Sequence, residues 1–73
     1  MHIGELILQK LKEKERSIAW LSRQVGCDAA NLGRQLKNSR HLHFDLLFRI
    51  SKALEENLFA YYAEEFKEEV KEK

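Results

Sequence analysis

Residues 17–38, "SIAWLSRQVGCDAANLGRQLKN", hold two helical patterns separated by three residues that do not suit a helix. Ser17 is a good N-cap, because its hydroxyl can accept from the unbonded amides of the turn that follows. Ile18, Leu21 and Val25 then recur at i, i+3 and i+7, which predicts a short helix over 18–25. Gly26 falls just past its end, where a left-handed residue is least costly for glycine. Asp28 can cap again, and Leu32 and Leu36 form the apolar pair of a further helix over 29–37. Only Gly26, Cys27 and Asp28 separate the two, so the chain has no room for an antiparallel return and the helices are expected to cross steeply.

Helical patterns continue on both sides. Upstream, Ile3, Leu6, Ile7 and Leu11 keep helical spacing while Lys10, Lys12, Glu13 and Lys14 turn outward, giving a helix over 3–14. Downstream, "NSRHLH" at 38–43 is a polar connecting loop. Phe44, Leu47, Ile50 and Leu54 mark a fourth helix over 44–55, weakly broken at Asn57. Leu58, Phe59, Tyr62, Phe66 and Val70 carry a fifth over 58–71, supported by pairs such as Glu64–Lys67 and Glu69–Lys73. The expected fold is all-α, with five short helices in one domain spanning 1–73.

Composition agrees. The chain has no proline and three glycines, with 44 % apolar and 34 % charged residues, which suits a small folded domain and not a disordered one. Cys27 is the single cysteine, so no internal disulfide is available and nothing points to an oxidising compartment. No stretch approaches the roughly 18 apolar residues of a membrane span. In "MHIGELILQKLKEKER" the charge follows the apolar residues instead of leading them, unlike a signal peptide. The expected address is the cytoplasm, with no membrane partner.

Net charge is +1 but unevenly spread. Residues 10–40 carry eight basic side chains against three acidic ones, an excess of five. Residues 58–73 carry three against five. The basic middle suits a polyanion, and the acidic end should avoid one.

Residues 17–38 together with "LLFRISKAL" at 46–54 resemble the Cro/phage-repressor helix-turn-helix family, also called the XRE family. The likeness runs from Gly4 to about Leu58. It implies a lambda-repressor-like bundle in which the second and third helices form the helix-turn-helix. It also implies a transcriptional regulator, neither enzyme nor cofactor-dependent, in a bacterial or phage setting and associated with the nucleoid. In that family the outer face of the third helix enters the major groove of double-stranded DNA, N-terminal end first. Ser22 stands where the family has a small residue between touching helices. Two positions depart from the pattern: Ile18, often glutamine there, and Gln35, usually apolar.

Helix geometry names the outer face. With Leu32 and Leu36 inward, Ala30, Arg34, Lys37 and Asn38 fall on the opposite side, Asn31 and Gly33 flank them, and Ala29 lies at the edge. The base-reading candidates are therefore Ala29, Ala30, Asn31, Gly33 and Arg34. Arg34 suits a bidentate guanine contact, Asn31 or Gln35 an adenine, and the alanines thymine methyl groups. The phosphate-contacting candidates are Ser17, with the amides after it, and Lys37, Asn38, Ser39, Arg40 and His43.

Other chemistry is thinly represented. His2, Cys27, His41 and His43 lack the paired spacing of a zinc site, so no metal is expected, and no acid–base pair or phosphate loop appears. Phe59, Tyr62, Phe66 and Val70 offer more apolar surface than a short helix needs against a small core. They either close the bundle or form a homodimer interface, and the homodimer is the expectation taken here. The competing reading is a protein-interaction module, antitoxin- or adaptor-like, with this fold but little DNA specificity.

Overall fold

The structure is a computed structural model that describes residues 2–39 and 41–71. Among them lie five α-helices and no strand: α1 (Ile3–Glu13), α2 (Ile18–Val25), α3 (Ala29–Asn38), α4 (Phe44–Leu54) and α5 (Phe59–Lys71). None is long and apolar enough to cross a membrane.

Local chemistry sets the starts of the two central helices. The Ser17 hydroxyl accepts the Trp20 N–H at 3.0 Å, and the Asp28 carboxylate accepts the Asn31 N–H at 2.9 Å. Gly26 ends α2 at φ 78°, in the left-handed region, and the Gly26 and Cys27 amides both donate to the Ser22 carbonyl.

Two other helices end the same way without a glycine. Glu15 sits at φ 55° and Glu55 at φ 56°. After each, the next amide reaches back five residues: Arg16 N–H to the Leu11 carbonyl at 2.9 Å, and Glu56 N–H to Ser51 at 3.1 Å. These closures stop α1 at Glu13 and α4 at Leu54, one residue earlier than periodicity suggests. Asn57, read from sequence as a weak break, lies in the gap between α4 and α5, where its Oδ1 accepts the Phe59 N–H at 3.2 Å.

One apolar cluster joins the helices. Ile3, Ile7 and Leu11 come from α1, Leu21 and Val25 from α2, and Leu32 and Leu36 from α3. Leu47, Ile50 and Leu54 of α4 complete it, with Leu58 just before α5. Helix α1 packs on α3, and α2 packs on both α3 and α4. Gly4 makes the first contact very close, because a Cβ there would overlap the Leu36 carbonyl oxygen. Ser22 is buried, and its hydroxyl donates to the Ala19 carbonyl at 2.7 Å, so its polar group is satisfied where a small residue is needed.

Phe44 does not join the core stripe of its helix. It is 71 % exposed. The spacing 44, 47, 50, 54 drifts around the helix at about 100° per residue, leaving Phe44 roughly 90° from the line through Leu47, Ile50 and Leu54.

Candidate functional site

The outer face of α3 is bare. Ala30, Asn31, Arg34, Lys37 and Asn38 are exposed, while Leu32 is 0 % and Leu36 1 % exposed on the opposite side. Ala29 is half-buried at the edge. Gly33, also half-buried, points elsewhere: a Cβ on it would lie 3.9 Å from Ile18 Cδ1, so this position faces α2. Gln35 is half-buried beside Leu36.

The polar groups on that face are already linked. The Arg34 guanidinium donates from Nη2 to Asn31 Oδ1 at 3.3 Å, and the Asn31 backbone N–H is held by Asp28. Asp28 thus spends its carboxylate as a cap, and the exposed pair Asn31–Arg34 stands one turn further along. Lys37 occupies the last turn.

At the start of α2, Ser17 is exposed and its hydroxyl is engaged with Trp20. The amides of Ile18 and Ala19 have no intrahelical acceptor, as the first turn of any helix dictates. Arg16 lies beside them, its guanidinium carbon 4.9 Å from the centroid of the Trp20 ring. Sequence reading counted Arg16 only as charge; the four-residue step to an aromatic across a serine cap was the available signal.

The loop after α3 is held from both ends. Ser39, half-buried, donates its N–H to the Gln35 carbonyl at 2.9 Å. Leu42 donates its N–H to the Tyr62 hydroxyl at 3.3 Å, and the His41 ring lies 5.5 Å from that of Tyr62. His43 is exposed at the start of α4 and makes no side-chain cap. Arg40 lies outside the described residues.

A second long-range clamp acts on α2. Arg49 donates from Nη1 to the Val25 carbonyl at 3.2 Å while its Nε pairs with Asp45 at 3.2 Å, so α4 holds the end of α2 where the turn to α3 begins. No sequence signal marked Arg49, because its target lies 24 residues away.

Charges sort by position. Lys10 and Lys14 both reach Glu56 at 3.5 Å, which leaves them committed to the α4–α5 junction. Among the described residues Lys12, Arg16, Arg23, Arg34 and Lys37 make no ion pair. No cluster of three or more histidine, cysteine or acidic side chains is placed to hold a metal ion among the described residues.

Of the residues expected on the fifth helix, Phe59 and Tyr62 are half-buried against the core, whereas Phe66 is 68 % and Val70 40 % exposed. No family model, curated protein or solved structure matches this chain.

Proposed function

We propose that this chain is a sequence-specific DNA-binding transcriptional regulator of the Cro/phage-repressor (XRE) kind that its sequence resembles. In this reading α2 and α3 are a helix-turn-helix, working in a bacterial or phage cytoplasm. The observation that carries it is the uncovered face of α3, on which the bonded Asn31–Arg34 pair stands between small residues and Lys37.

In this reading α3 lies in the major groove. Arg34, oriented by Asn31, donates to O6 and N7 of a guanine, a contact worth about 1–3 kcal/mol of discrimination. Ala29 and Ala30 at the helix start meet thymine methyls, and their lack of bulk brings the α3 backbone near the base edges. Asn31 keeps its amide nitrogen for an adenine or for the flanking base. Gly33 serves the α2–α3 contact more than the base edges, since its missing Cβ points at Ile18.

Phosphates on one strand meet Ser17 and the amides of Ile18 and Ala19, with Arg16 adding charge. Those on the other strand meet Lys37, Asn38, Ser39, Arg40 and His43. The Arg49 and Tyr62 bonds hold these two groups of contacts in place relative to α3. Charge supports the arrangement, because Lys12, Arg16, Arg23, Arg34 and Lys37, which make no ion pair among the described residues, belong to the first three helices and the linker before α2; Lys52 of α4 is unpaired as well.

The test is binding to random duplex DNA at two salt concentrations. With Z phosphates neutralised, log K should fall with log[salt] at a slope of about −0.9Z. Absence of binding at low salt removes the DNA reading. It would favour the second one, a protein-interaction module, for which the exposed Phe44 and Phe48 are the supporting observation.

A further inference from the structure

Trp20, the single tryptophan, is half-buried although it lies off the inward stripe of α2. At about 100° per residue it sits roughly 100–160° from the buried Leu21, Ser22 and Val25. Its cover therefore comes from outside α2. An open groove of about 420 Å³ runs beside it, lined by Lys14 and Arg16 from the turn before α2 and by Ala53, Leu54 and Glu55 from the end of α4. That volume suits a small molecule.

The groove has an apolar floor and a charged rim. Leu54 belongs to the core cluster, and Ala53 and Trp20 pack against it. On the rim, Lys14 is spent, because its ammonium lies 3.5 Å from Glu56. Arg16 and Glu55 are exposed, and neither makes an ion pair among the described residues. The Arg16 guanidinium rests over the indole, 4.9 Å from its centroid. Both rim segments are held at the backbone. Glu15 is left-handed at φ 55°, and the Arg16 N–H after it is bonded to the Leu11 carbonyl. Glu55 is left-handed at φ 56°, with its N–H on the Lys52 carbonyl at 3.2 Å. The bridges from Lys10 and Lys14 to Glu56 tie the two segments together. A rim fixed in this way loses little freedom when a ligand arrives.

We propose that this groove binds a free α-amino acid with an aromatic side chain. The Arg16 guanidinium donates two hydrogen bonds to its carboxylate, its ammonium donates to Glu55, and its ring lies on the Trp20 indole over Ala53 and Leu54. Arg16 leaves the indole to do so, exchanging a cation–π contact for a stronger charge-assisted pair. A plain carboxylate meets Glu55 as a like charge, and a plain amine meets Arg16 in the same way. The rim therefore selects a molecule that carries both charges. The assignment does not rest on the DNA reading, and its test uses no DNA.

Trp20 emission reports binding directly. The probe is L-phenylalanine, with phenylpropanoate and phenylethylamine as analogues that lack the ammonium and the carboxylate. L-Phenylalanine should shift the emission saturably with a Kd of roughly 0.1–1 mM, and each analogue should bind at least ~10-fold more weakly. Glu55→Gln, with native helicity by circular dichroism, should cost L-phenylalanine at least ~10-fold and leave phenylpropanoate unchanged or tighter. Arg16→Gln should weaken L-phenylalanine likewise and spare phenylethylamine. A residue that only shaped the groove would weaken every ligand alike. No saturable shift up to ~10 mM L-phenylalanine, equal affinity for the three probes, or a Glu55→Gln protein that loses L-phenylalanine and phenylpropanoate alike would each overturn the proposal.

Discussion

The Tyr62 hydroxyl accepts the Leu42 backbone N–H at 3.3 Å, across 20 residues of sequence. This bond fastens the loop between α3 and α4 to α5 through a residue on the inner, core-facing side of that helix. The same ring lies 5.5 Å from His41. Helix α5 therefore positions a loop whose residues are proposed to contact phosphate.

Tyr62→Phe removes the acceptor and keeps the ring. The Leu42 N–H then loses its partner, and the expected cost is about 1 kcal/mol of stability. Amide exchange should accelerate at Leu42 and its neighbours far more than in the α2–α3 core. Exchange unchanged at Leu42 would show that the loop is held by its packed side chain instead.

Glu15→Gly and Glu55→Gly should each raise stability by roughly 0.5–1 kcal/mol. Both residues hold a left-handed backbone, at φ 55° and 56°, that costs a side chain and not glycine. Denaturant midpoints measure the gain. The reverse change at φ 78°, Gly26→Ala, should lose about 1 kcal/mol despite open space around its Cβ position.

Gly4 and Gly33 are both helical glycines, and they should respond oppositely to alanine. At Gly4 the added methyl overlaps the Leu36 backbone, so α1 must lift off α3; a loss of at least ~2 kcal/mol is expected. At Gly33 the methyl meets only Ile18 Cδ1 at 3.9 Å, an ordinary contact. There the helix propensity of alanine should dominate, adding up to about 1 kcal/mol. Thermal unfolding of the two variants separates these outcomes.

On the proposed DNA surface, Arg34→Ala should relax preference at one base position, costing about 1–3 kcal/mol on the best site and little elsewhere. Lys37→Ala should weaken all sequences alike and reduce the salt slope by about 1. Competition binding over a set of single-base variants distinguishes them. A uniform loss for Arg34→Ala would make it a phosphate contact.

What sequence reading reached depended on the range of the interaction. The starts of α2 and α3 were legible because Ser17 and Asp28 bond to amides three residues away, within the same turn. The end of α2 was legible because Gly26 is the residue a left-handed cap prefers. The ends of α1 and α4 were not, since glutamate gives no such signal and the backbone closures at Glu15 and Glu55 override its preference. On α3, Ala30, Asn31, Arg34 and Lys37 could be assigned to one face from Leu32 and Leu36 alone, whereas the turning of Gly33 toward Ile18 could not.

Local pattern by itself determined that the chain is helical, where its central helices begin, and which leucines and isoleucines face inward, because caps and 3.6-residue periodicity act within one or two turns. The tertiary structure alone decided which apolar residues stay uncovered and which charges remain unpaired. Phe44 and Phe66 look like core residues until the positions of the other helices leave them 71 % and 68 % exposed. Lys10 and Lys14 look like part of a basic surface until Glu56, more than 40 residues on, arrives 3.5 Å away. Burial and charge pairing depend on what else occupies the space around a side chain, and in both cases the occupant comes from a distant part of the chain.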